Sequence, residues 1–324
     1  LSIKHSSPVP NKKRSVLIFS PTNPASPRHG AHVRLSQQIS SISQVATVVL
    51  ASCSHSSDAD WPLNLHHVVR KLNVSQIEIY ERSKFRHFEF FAVPIKVIEW
   101  LFKTVRPANP NFNLSRAVRR YIVQKWFKHL TKQFNPVAVI INYPYWGYLV
   151  DGLDKEIYRI LEPLDLIAIN QHLQSEVTQQ LIVDPRNATL QSPTDTVTYI
   201  SSLDQLPKNV RDYLEKEISI YSRFDLIWSI SERDTIIAKS IDPKLLIDTI
   251  LPSLQKPDST KIPRQDFALL PIGPNVFNLY STLLFLSEVE PRISYPREGR
   301  ILITGASYLN LSVSYPPKVT YLGL

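Results

Sequence analysis

The sequence has no methionine, only 7 glycines and a single cysteine in 324 residues. Each shortage excludes something. One thiol, Cys53, cannot close an internal disulfide, so a disulfide scaffold and a cysteine-ligated metal centre are both out, and a reducing compartment is expected. Average usage of about 7% would supply roughly 20 glycines. Neither GxGxxG nor GxxxxGK[ST] occurs, which leaves a dinucleotide fingerprint and a P-loop unsupported. HExxH, paired HxxxH and GxSxG are absent as well, against a metalloprotease or an α/β-hydrolase. No apolar run approaches the roughly 20 residues of a membrane span; Val137–Ile141 is five. The start, Leu1–Arg14, is polar and basic, without the apolar stretch of a signal peptide. A chain with no initiator Met is expected to be a piece of a longer product or to lack some residues.

What is present is ordinary globular material, 43% hydrophobic and 20% charged, long enough for two domains. The charge is uneven. Between Arg82 and Lys132 stand 12 Lys/Arg against Glu89 and Glu99, a net +10 in a chain whose total is +9. Such a patch points to an anionic partner or to a solvated face. Its interleaved aromatics, among them Phe85, Phe88, Trp100, Phe102, Tyr121 and Trp126, are the pattern of a helix lying on anionic lipid. Leu114–Lys132 reads as that helix, with Val118, Tyr121, Ile122, Lys125 and Trp126 on one stripe. The expected membrane contacts are Trp100, Arg116, Arg119, Arg120, Lys125, Trp126 and Lys128. Nucleic acid is the rival partner, but no compact recognition motif is present and none is expected to bind.

Short apolar runs of buried parallel-strand type recur at Ser15–Ser20, Ala46–Ala51, Pro136–Asn142, Leu164–Asn170 and Phe224–Ile230, with helical stretches between them. Strand, loop, helix and strand within about 35 residues is a βαβ unit, so an open α/β sheet with helices on both faces is expected. After the polar, Pro-rich passage Leu251–Arg264 a second series follows. It has strands at Phe267–Ile272, Gly299–Thr304 and Lys318–Leu322 and a helix at Asn275–Val289. The organisation read from this is a tail over 1–14, a Rossmann-like domain over 15–250, a linker over 251–264 and a partial second domain over 265–324. Pro185–Pro207, rich in Ser, Thr, Asp and Pro, reads as a surface loop.

In open α/β sheets ligands sit at the carboxyl ends of strands. The loop Pro21–Gly30 lies at such an end and feeds a helix; Arg28, His29, Gly30, His32 and Arg34 equip it for an anion, although an ordinary βα turn explains it as well. Asn142-Tyr-Pro-Tyr-Trp-Gly147 offers Tyr143 and Trp146 for stacking on a sugar or base, or for core packing. His172, at the end of the run after it, is a lone candidate general base whose commoner role is structural. Ser231 is a plausible N-cap for a helix with Asp234 at its third position, a sufficient local role for both.

In order along the chain, VLIFSPTNPASPRHGAHVR, VAVIINYPYW, LDLIAINQHL, EISIYSRFDLIWSISERD, LLPIGPNVFNLYSTLLFLSEVEPRI, GRILITG and VTYLGL resemble the successive motifs of retaining glycosyltransferases of the GT-B fold, the group 1 or glycosyltransferase-4-like class. The resemblance runs over about Ser15–Leu324. It implies two Rossmann-like domains, the second incomplete because the family's paired donor-binding glutamates fall past Leu324. It also implies a nucleotide-sugar donor, a saccharide or lipid-linked acceptor, no required metal or other cofactor, and a cytoplasmic enzyme peripheral to the inner face of the membrane, in surface-polysaccharide or glycolipid synthesis. By the same resemblance Gly30, Arg34, Gly273, Pro274 and Asn275 would meet the donor, Arg28, His29, Tyr143 and Trp146 the acceptor, and His172 the chemistry. The family's acidic/His motif survives only as Asn170-Gln-His172. A glycosyltransferase-like binding or scaffold protein without donor chemistry is the alternative.

Overall fold

The computed structural model describes residues 14–22, 24, 30–53, 72–80, 114–182, 200, 202–251, 267–272, 280–282, 284–294, 300–305 and 318–321. The chain forms two compact units, Leu1–Asp165 with Glu215–Ser253, and Leu166–Leu214 with Leu254–Leu324.

The first unit is built on a seven-stranded sheet. Its strands are β1 (Ser15–Phe19), β2 (Thr47–Cys53), β3 (Gln76–Tyr80), β4 (Ala138–Asn142), β5 (Tyr158–Glu162), β6 (Leu226–Ser229) and β7 (Ile247–Thr249). They lie in the order β3-β2-β1-β4-β5-β6-β7, and every neighbouring pair is parallel. Continuous apolar runs suit strands covered on both faces. Val16 and Ile18 pack in one core with Leu35 and Ile39, one turn apart on helix α1 (Gly30–Ser43). On the opposite face Phe19 meets Phe127 of helix α2 (Leu114–Phe134) edge to face, with ring centroids 5.9 Å apart. The open parallel α/β architecture read from the sequence is therefore present, with helices on both faces.

Two strand expectations change. Leu164–Asn170 is not a strand: the neighbouring segment Tyr158–Glu162 pairs instead, and helix α3 (Ile167–Ile182) follows. A short apolar run is ambiguous between strand and buried helix. Here Pro163 and the positive φ of Leu164, 69°, end the extended chain before the run begins. The charges of Arg159 and Glu162 hide the real strand in the sequence. Strands β3 and β7, short and partly polar at the two sheet edges, carry no such apolar signal either.

On α2 the buried face is Val123, Phe127 and Leu130, apart from the stripe read as lipid-facing. Tyr121 and Lys125 lie exposed, because Phe127 is the residue that Phe19 receives. Helix α4 (Lys208–Tyr221) and helix α5 (Glu232–Ile241) follow, and Ser231 caps α5 by accepting the Asp234 backbone N–H, as expected.

The second unit carries strands β8 (Phe267–Ile272), β9 (Arg300–Gly305) and β10 (Val319–Tyr321), parallel in the order β10-β9-β8. All three match the apolar runs read from the sequence. Of the helix expected over Asn275–Val289, the described end is a π-type turn, Phe285–Val289. Most of the loop expected over Pro185–Pro207, residues 185–199, and nearly all of the 251–264 linker lie outside the described residues.

Candidate functional site

Chain order reverses between β1 and β4, which lie side by side although more than a hundred residues separate them. This is the switch point of an open parallel sheet, where flanking loops part and leave a crevice at the carboxyl ends. Ser20 and Thr22 continue β1 there, the Ser20 hydroxyl accepting from the Thr22 backbone N–H at 3.2 Å. Asn142 ends β4, and Pro144–Val150 turns as a 3-10 helix directly after it.

At this end of the sheet one carboxylate gathers three side chains. Glu162, the last residue of β5, is fully buried. Its Oε1 accepts from Arg34 Nε at 2.7 Å; its Oε2 accepts from Gln38 Nε2 at 2.8 Å and from Asn142 Nδ2. Arg34 and Gln38 stand one turn apart on α1, so a single helix face supplies two donors. Arg34 also donates through Nη1 to the Leu251 carbonyl, at 3.4 Å. Both amides have given their N–H groups to Glu162, and their oxygens are buried with no partner among the described residues. An unsatisfied buried acceptor costs about 1–3 kcal/mol. The arrangement is thus set by the carboxylate and not by the needs of the amides.

The next residue is strained. Tyr143 has φ 70° and ψ 131°, a region costly to a residue with a Cβ, of order 1–3 kcal/mol. Its backbone N–H donates to the Glu162 carbonyl at 2.9 Å. The Tyr143 ring stacks on Tyr145 with centroids 5.4 Å apart, and Tyr145 is 47% exposed. Trp146 packs inward on Phe19 at 4.8 Å. Burial pushes the Tyr145 phenol up to about 12, opposed by the neighbouring Trp146 indole and helped by Tyr143. Gly147, after Trp146, packs against helix α4: a Cβ there would run into Ile220 Cγ2.

The residues picked from the sequence fall into separate groups. Gly30 opens α1, and among the described residues nothing lies within 4 Å of a Cβ placed on it. Arg34 is engaged by Glu162. Tyr143 and Trp146 stand at the crevice end of β4. His172 lies within α3, in the second unit, where its Nε2 is 3.4 Å from Glu176 Oε1 on the next turn. It is a helix residue rather than the end of a strand. Arg28, His29, Gly273, Pro274, Asn275 and Trp100 lie outside the described residues, as do the side chains of Arg116 and Arg119. Arg120 sits 5.4 Å over the Tyr148 ring, Lys125 sits 5.3 Å over Tyr121, and Trp126 packs against Tyr80 at 5.5 Å. Lys128 reaches over Gly152. Glu162 is not among the residues the sequence singles out, because the charges of Arg159 and Glu162 hide the strand that carries it.

No family model matches the sequence, and no curated protein does. Solved structures are similar to it at low identity. A UDP-glucosyltransferase from Polygonum tinctorium capable of glucosylating indoxyl is 11% identical with a TM-score of 0.47, over 96% of this chain and 72% of that one. Phytolacca americana UGT2, complexed with UDP-2fluoro-glucose and pterostilbene, is 10% identical with a TM-score of 0.43, over 98% and 72%. Glycyrrhiza uralensis UGT73P12 is 13% identical with a TM-score of 0.40 over 74% of this chain, which spans about half the length of that structure, 49%. The fold itself stands on the strands and their order given above.

No group of three or more His, Cys, Asp or Glu side chains able to hold a metal ion occurs among the described residues, and no described helix is long and apolar enough to cross a membrane.

Proposed function

We propose that this chain is a retaining glycosyltransferase, or the larger part of one, that transfers a sugar from a nucleotide sugar to a saccharide or lipid-linked acceptor. In this reading residues 15–250 form the acceptor side, 265–324 belong to the donor side and 251–264 link them. One observation carries it. Two of the segments that bear the family resemblance, the loop into α1 and the Asn142–Gly147 turn, leave the carboxyl ends of the adjacent strands β1 and β4 at the switch point. There a helix N-terminus favours an anion and aromatic faces suit a sugar ring. In the transfer, the sugar's anomeric C–O bond to the diphosphate breaks and a C–O bond to the acceptor hydroxyl forms. The acceptor hydroxyl gives its proton to the base, the nucleoside diphosphate departs as the leaving group, and no metal is required. Gly30, Gly273, Pro274 and Asn275 would meet the donor, and Arg28 and His29 the acceptor. Tyr143 would face the acceptor and His172 would serve as base, whereas Trp146, assigned to the acceptor by resemblance, packs inward on Phe19.

The basic, aromatic segment supports a place on an anionic membrane. Each Lys or Arg near the lipid is worth about 1 kcal/mol, and exposed Arg120, Tyr121 and Lys125 present such a face. The setting would be the cytoplasmic face of the membrane, in surface-polysaccharide or glycolipid synthesis. One observation favours the alternative, a binding or scaffold protein without transfer: Arg34, assigned to the diphosphate by resemblance, is held by Glu162.

The test is calorimetric binding of a nucleotide-sugar panel beginning with UDP-glucose, with and without anionic vesicles. The expected result is binding to one donor, lost in Gly30→Val at an unchanged melting temperature, and salt-sensitive vesicle attachment weakened by Gln at Arg120, Lys125 and Lys128. No donor bound would overturn the enzyme reading. Binding without release of nucleoside diphosphate, when acceptor lipids are supplied, would select the scaffold.

A further inference from the structure

We infer that Glu162 is a positioning residue: its buried carboxylate and its carbonyl together set the Asn142–Tyr143 corner and so aim the Tyr143–Tyr145 ring pair beside the switch-point crevice. The ring pair's use in binding rests on the functional reading above; the positioning itself does not. Three observations meet at this residue. Its side chain fixes the Asn142 side chain, and its main chain fixes the next N–H, that of Tyr143, at 2.9 Å. The residue held in this way has a strained backbone, φ 70° and ψ 131°. The Asn142 and Gln38 amides leave buried oxygens unpartnered among the described residues in order to reach it. Strain and unsatisfied acceptors concentrated at one place persist only when the surroundings over-determine them, and such places tend to be functional. Arg34 neutralises the carboxylate from α1, so the corner after β4 and the helix after β1 are held by the same group.

A merely stabilising ion pair would make a different prediction. A buried pair can often be exchanged for apolar residues of similar size without loss of stability. If Glu162 only stabilises, the double variant Arg34→Met/Glu162→Leu should keep both its melting temperature and its aromatic environment. If Glu162 positions the corner, the double variant should keep a cooperative melt but lose at least half of its near-ultraviolet circular dichroism, to which the Tyr143–Tyr145–Trp146 group contributes. Asn142→Ala is the second variant, because it leaves the Arg34–Glu162 pair intact and cuts only the link to the corner. It should show the same spectral loss at smaller amplitude, and it decides the matter if the double variant does not fold. A parental near-ultraviolet spectrum in Asn142→Ala, or in a folded double variant, overturns the inference. UDP-glucose binding is measured on the same proteins, with at least a tenfold weakening expected in both variants. If the parent binds no nucleotide sugar, the functional reading falls while the spectra still decide the positioning role.

Discussion

Two acidic side chains fourteen residues apart, Glu162 and Glu176, live under opposite conditions. Glu162 closes a strand, has no exposed surface and receives three donors drawn from two other elements. Glu176 sits on α3, is 47% exposed and faces His172 one turn away on its own helix. Desolvation makes the difference. Water solvates Glu176 whether or not His172 is near, whereas Glu162 has exchanged all its water for protein donors, each of which was itself taken out of water. A candidate role read from residue type alone attaches to the His172 pair; the structure puts the tightly determined chemistry around Glu162.

The comparison breaks most sharply at Glu162→Ala. That change leaves the Arg34 guanidinium, only 11% exposed, without its carboxylate. A loss of about 3–5 kcal/mol is expected, read as a lower urea midpoint; a change below about 1 kcal/mol would show that the site relaxes around the charge. Next comes Gly147→Ala, on the turn that carries the aromatic residues. The added methyl runs into the Ile220 side chain, and overpacking of this kind costs about 1–3 kcal/mol. Thermal melts should fall by several degrees; a parental melt would mean that the turn or helix α4 shifts freely. The smallest effect belongs to His172→Gln. A partly exposed pair on one helix contributes about 0.3–0.5 kcal/mol, so stability should barely change. Transfer activity lost at constant stability would restore His172 to the chemistry, and unchanged activity would leave it a surface helix residue.

Much of this architecture was legible in the chain. The continuous apolar runs at Val16–Phe19, Val48–Ala51 and Val139–Ile141 could be buried only between two layers of helices, and the strands stand there. The cap at Ser231 was legible for the same reason: it is a matter of residues three apart. Tyr158–Glu162 was not, because its two charges break the apolar pattern that marks a buried strand. The Glu162 charge is tolerable only through partners such as Arg34, 128 residues away, and the Arg159 guanidinium turns to the Leu153 carbonyl at 3.4 Å.

By itself, then, the sequence determined the backbone states that depend on neighbours within a turn or a strand: the central buried strands such as β1, β2 and β4, the cap at Ser231, and that the sheet is parallel with crossovers between its strands. Only the tertiary structure decided what the polar residues do. It spent Arg34 on Glu162, moved His172 from a strand end to a helix, and placed a strained Tyr143 at the switch point. The physical reason is range. Periodicity and capping are local and leave a signature in adjacent letters, whereas the fate of a buried charge is settled by whichever donors the fold brings to it.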